Sequence, residues 1–102
     1  MTDIELLGRV KRILLITGNY HDDALSEHIK EVKEYMKSAG VPETTVNSEV
    51  SVGVIARGVS DLWNYGSGTA SLSPYFRERV TQLAFVKEVI EDTSSEGSDS
   101  NV

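Results

Sequence analysis

Residues 48–65, SEVSVGVIARGVSDLWNY, constrain the fold more than any other stretch of the chain. Val52, Ile55, Val59 and Leu62 recur at helical spacing, with Ala56 and Trp63 beside them, so a helix with one broad apolar face is predicted. Asn47 or Ser48 can cap its start by accepting backbone N–H bonds. Gly66 and Gly68 follow, where helices commonly stop. Gly53 and Gly58 lie inside the run, and each costs on the order of 1 kcal/mol of helix propensity relative to alanine. Close approach of a neighbouring backbone is the expected compensation. Val50, Val54, Gly58 and Tyr65 form a second, narrower stripe, interrupted by Asp61. In a small domain each helix needs one apolar face. The second stripe therefore either faces a partner chain or marks an irregular core that wraps the helix on both sides.

The remaining segments also read as helices. Thr2 and Glu5 fit a capping box at the start of a helix running from Asp3 to about Leu15. Leu6, Leu7, Val10, Ile13 and Leu14 share its apolar face, while Arg9, Lys11 and Arg12 form the one dense basic cluster, a solvated face or a seat for an acidic partner. The turn Thr17-Gly18-Asn19-Tyr20 leads to a second helix, opened by His21-Asp22-Asp23 and ending near Ala39, before Gly40 and Pro42. Leu25, Ile29, Val32, Met36 and Ala39 form its apolar stripe, flanked by His28 and Tyr35. Its polar side is sorted by sign, with Lys30, Lys33 and Lys37 on one flank and Glu27, Glu31 and Glu34 on the other. Such sorting forgoes pairs within the helix. It suits a head-to-tail contact in which the acidic flank of one subunit meets the basic flank of the next.

Residues 41–46 read as a linker or one helical turn, and 64–72 as a mobile Gly- and Ser-rich loop. Ser73-Pro74 then starts a last helix with a good cap and proline in its first turn. Phe76, Val80 and Leu83 face inward, with Ile90 in the same series, whereas Tyr75, Phe85 and Val89 lie off that face. From about Glu91 the chain is acidic and low in complexity. No segment alternates with period two for long enough to require a strand. The expectation is an all-α fold, a bundle of about four helices over residues 1–90, with a disordered acidic tail over 91–102. Its core combines Leu7, Val10, Leu14, Leu25, Ile29, Val32, Met36, Ile55, Val59, Leu62, Trp63, Phe76, Val80 and Leu83.

Composition narrows the function. The chain of 102 residues suits one domain. Its net charge is −6, with one base and five acids in the last sixteen residues, so a tightly bound free nucleic acid is not expected without a basic patch. No apolar run suits a membrane span, the N-terminus lacks the pattern of a secretory leader, and the absence of cysteine excludes disulfide and thiolate sites. His21, Asp22, Asp23 and His28 suggest a metal cluster only superficially, because the histidines lie two helical turns apart, and capping and packing account for them. Gly66-Ser67-Gly68 lacks the lysine of a phosphate loop. Asp23 and Asp61 have no evident acid–base partner, and no base is placed for Ser67, Ser71 or Ser73. A non-enzymatic protein without metal or cofactor is expected.

Taken together, VKRILLITGNYHDDAL (10–25), IKEVKEYMKSAGV (29–41) and VGVIARGVSDLWNYGSG (52–68) leading to LSPYFRERV (72–80) resemble the small bacteriophage head–tail connector proteins, the adaptor or head-completion family. The resemblance spans roughly Leu6 to Phe85 and rests on packing motifs: the start at Val10, Lys11, Leu14 and Ile16, a His-Asp step followed by Leu25, an amphipathic helix, and an aromatic-ended third helix. It implies a helical protein of the virion, made in the bacterial cytoplasm, that forms a homo-oligomeric ring of about a dozen subunits beneath the portal protein. Such a ring extends the DNA channel, retains the packaged genome, and offers a surface to the next connector, stopper or tail protein. DNA passes through without sequence-specific binding, and no membrane is involved. Under this reading Lys30, Lys33, Lys37, Glu27, Glu31, Glu34, Val50, Val54, Gly58, Tyr65, Tyr75 and Phe85 are the candidates for subunit or portal contacts. The alternatives are a small DNA-binding regulator, with Arg9, Lys11 and Arg12 on phosphates, or an accessory factor of the packaging motor.

Overall fold

The computed structural model describes residues 1–65 and 72–95, and the side chains as far as Phe85 except those of Asn64 and Tyr65. The described residues are all-α, with no strand: α1 (Asp3–Leu14), α2 (Asp22–Ser38), the single turn α3 (Glu43–Val46), α4 (Val52–Tyr65) and α5 (Pro74–Ser95), with a 3₁₀ turn at Glu49–Ser51 leading into α4.

Local signals set the ends of these helices. Thr2 Oγ1 accepts the Glu5 N–H at 3.1 Å and Glu5 Oε1 accepts the Thr2 N–H at 3.0 Å, the expected capping box. Both α1 and α2 end by folding the chain back onto their last carbonyls. Ile16 N–H donates to Lys11 O, and Val41 N–H to Met36 O. The second closure uses Gly40 at φ 105° and drops Val41 into the core. At the head of α5, Ser73 Oγ accepts the Phe76 N–H at 3.1 Å, the cap expected there.

The segment read as one helix over 48–65 is divided. The Thr45 carbonyl accepts from Ser48 N–H at 3.1 Å and from the Ser48 and Ser51 hydroxyls, each at 2.7 Å. Ser48 is thus a donor to the preceding turn and makes no side-chain cap. The chain tightens around this carbonyl before α4 begins at Val52. Ser51 is fully buried, and its hydroxyl is satisfied by that bond.

The core forms where α1, α2 and α5 pack on α4. Val10, Leu25, Ile29, Val32, Met36, Ile55, Val59, Leu62, Phe76, Val80 and Leu83 are buried as expected, and Leu7, Leu14 and Trp63 are partly buried against them. Ile13 is half exposed. The second stripe of α4 is where expectation and structure part. Val54 is buried, and so is Gly58. A Cβ at Gly58 would stand 2.7 Å from Phe76 Cε1 and 2.9 Å from Val32 Cγ2. These two positions therefore belong to the core of a single protomer and not to a partner face, because α5 covers the side of α4 that α2 leaves open. Side chains rather than backbone explain the glycine at 58, whereas a Cβ at Gly53 meets nothing within 4 Å.

Asp61, the acid that interrupts that stripe, is 5% exposed. Its Oδ2 accepts the Ser73 N–H at 3.0 Å, and its Oδ1 lies 3.6 Å from Arg57 Nε. It thus ties α4 to the residue that caps α5. The last helix continues through residues 91–95, which the sequence assigns to the tail; of the loop expected at 64–72, residues 64 and 65 belong to α4, while 66–71, like 96–102, lie outside the described residues.

Gly58→Ala should destabilise the protomer by about 1–3 kcal/mol through overpacking, read as a lower melting temperature in circular dichroism. An unchanged melt would place position 58 outside the core. Asp61→Ala should cost about 1–3 kcal/mol by orphaning the Ser73 N–H, with Asp61→Asn losing less because an acceptor remains. Equal losses would mean that the hydrogen bond is not the stabilising element.

Candidate functional site

The expected interface residues separate into three groups. Val50, Tyr75 and Phe85 keep 58%, 55% and 63% of their surface exposed. Val54 and Gly58 lie in the core, as described above, and the Tyr65 side chain lies outside the described part. Five of the six charged residues of α2, all but Glu31, line one shallow hollow of about 460 Å³. There Asp3, Glu27, Lys30, Lys33, Glu34 and Lys37 share a lining, so the two flanks are not presented apart. Lys37 Nζ lies 3.4 Å from Glu34 within the helix, and Lys33 Nζ lies 3.9 Å from Asp3 on α1. Glu27 and Glu31 are exposed, and no ion pair engages them among the described residues.

A second hollow, of about 210 Å³, opens between the starts of α4 and α5 and is lined by Val50, Gly53, Val54, Arg57, Tyr75 and Arg79. The Arg57 guanidinium sits 5.0 Å from the centroid of the Tyr75 ring, a cation–π arrangement. Arg79 Nη1 donates to Gln82 Oε1 at 3.0 Å, and no carboxylate pairs with Arg77 or Arg79 among the described residues. The sequence reading missed Arg57 and Arg79. The available signals were the Arg57–Asp61 spacing of one helical turn and the arginines that follow the Tyr75-Phe76 pair.

The basic cluster of α1 is largely spent inside the protomer. Arg9 makes a two-pronged pair with Glu49, at 2.7 and 3.1 Å, and Lys11 Nζ meets Asp22 Oδ1 at 2.7 Å. The hydrogen bonds from Arg9, and then its charge, hold the Glu49 carboxyl below its ordinary pKa and the guanidinium above its own. A depressed carboxyl favours the fold above the ordinary glutamate range, and that contribution fades as pH falls through the lowered value. Both groups face water, so screening keeps the effect small.

His21 and His28 both stand edge-on to Trp63, with ring centroids 4.9 and 6.0 Å away, and Tyr20 stands edge-on to His21 at 4.8 Å. Their role in this arrangement is aromatic packing over the end of α4. At the α1–α2 turn, Leu15 adopts the left-handed conformation, with φ 61°, while 87% exposed. A branched side chain there costs about 1–2 kcal/mol that glycine would avoid. Leu15→Gly should therefore raise stability by up to about 1 kcal/mol, seen as a higher urea midpoint, since glycine also gains freedom in the unfolded chain. A lower midpoint would show that Leu15 is held by packing.

No helix among the described residues is long and apolar enough to cross a membrane. No protein-family model matches the chain, no curated protein matches its sequence, and no solved structure matches its fold.

Proposed function

We propose that this protein is a structural component of a bacteriophage head–tail junction. In this reading it is an adaptor that assembles as a ring under the portal, extends the DNA channel, retains packaged DNA, and receives the next connector or the tail. The observation that carries the reading is the set of large apolar side chains left on the surface of the folded protomer. Val50 and Tyr75 stand together at the hollow between α4 and α5, and Phe85 is exposed further along α5, apolar surface that suits an assembly contact. The connector-like order of packing motifs across α1, α2, α4 and α5 supports the same reading. A net acidic chain also suits a passage through which a polyanion must slide without sticking.

The regulator alternative draws less support, because Arg9 and Lys11 already pair with Glu49 and Asp22 and leave Arg12 alone of the cluster for phosphates. Deleting the gene from a phage or prophage that carries it and imaging the particles by electron microscopy tests the proposal. DNA-poor or leaking heads beside free, complete tails are expected. Normal joined virions would overturn the connector reading.

A further inference from the structure

We infer that the hollow between α4 and α5 is a socket in which a second copy of this chain seats the glutamate ridge of its α2. The ring reading above supplies the setting of this inference.

The socket side combines three things a protein partner needs. Val50 and Tyr75, both more than half exposed, give an apolar wall. Gly53 presents bare helix backbone with nothing within 4 Å, so a neighbouring helix can come close to α4 there. Arg79, which hydrogen-bonds Gln82 and pairs with no carboxylate among the described residues, places one guanidinium group at the rim, and Arg57, half exposed with its Nε 3.6 Å from the buried Asp61, places a second. The lysines of α2 are poorer candidates for meeting an acidic ridge, because they line a hollow that already holds Asp3, Glu27, Glu34 and Glu43.

The matching acid is on the same chain. Glu27 and Glu31 lie one helical turn apart on the side of α2 turned from the core, exposed and unpaired among the described residues. Residues one turn apart on a helix hold their Cβ atoms about 5–6 Å from each other, close enough to address two guanidinium groups together. Elsewhere two copies of a chain with net charge −6 repel, so attraction confined to this pairing would also set their orientation. Socket and ridge share no residue. The contact is therefore heterologous, of the kind that propagates from copy to copy and closes into a ring when the rotation permits. A polyanion such as DNA is a poorer occupant, because the same net charge opposes its approach.

Sedimentation velocity on the full chain, at low and at high salt, tests the inference. The wild-type chain should self-associate, and Arg79→Glu and the pair Glu27→Arg/Glu31→Arg should each weaken association by at least about tenfold while keeping the helical circular dichroism spectrum. If Arg79→Glu loses helicity, Arg79→Gln should move association in the same direction. Mixing the socket variant with the ridge variant should restore association at least to a heterodimer, because one contact in that mixture pairs an intact socket with an intact ridge. High salt should weaken the wild-type assembly. A chain that stays monomeric, an assembly indifferent to both reversals, or a mixture that stays dissociated would each overturn the socket. Rings that survive both reversals would do so while leaving the connector reading standing, and the deletion phenotype judges that reading separately.

Discussion

The absence of one methyl group at position 58 holds this fold together. Phe76 of α5 and Val32 of α2 meet over Gly58 of α4, at separations that no Cβ would permit. Through that point the two helices share one surface of α4, and the Phe76 ring also stands edge-on to Tyr35, with centroids 5.6 Å apart. A buried phenylalanine contributes roughly 1.5–3 kcal/mol. The propensity lost by a mid-helix glycine is about 1 kcal/mol, so the exchange favours glycine. The Asp61–Ser73 hydrogen bond and the Ser73 cap act a few residues away on the same joint and fix where α5 begins.

Much of this architecture was legible in the sequence. The capping box at Thr2 and Glu5, the apolar stripe of α2, and the Ser73-Pro74 start depend on residues within one or two turns of each other, where pattern and cause coincide. What stayed hidden depends on distant residues. The stripe of Val54 and Gly58 reads equally well as a face for another chain or for a later helix of the same one, because periodicity records burial and not the source of the cover. The division before α4 turns on a single carbonyl at Thr45 that gathers donors from Ser48 and Ser51, residues that by type suit a helix cap. The sign-sorted α2 flanks look separate on a helical projection, yet all of them but Glu31 line one concavity once α1 and α3 are folded beside them.

The surface that remains is organised by where charge has been neutralised. On α1 two of the three bases, Arg9 and Lys11, are paired within the protomer, and on α2 two of the three lysines face carboxylates. Arg79 of α5 and the outer glutamates Glu27 and Glu31 of α2 escape this pairing among the described residues, although they are exposed too. Under the proposed ring, such unspent charge in two different places is what a repeating unit would use to join its neighbours.

The crowding at Gly58 also makes the volumes at positions 32, 58 and 76 a shared quantity. Side chains from three helices fill one space, so an increase at any of them demands a decrease at another. In related chains these positions should drift as a set, an alanine at 58 accompanied by a smaller residue at 32 or 76, while each position alone looks variable. Such compensated change would let the sequence diverge widely while the angle between α4 and α5 stays fixed.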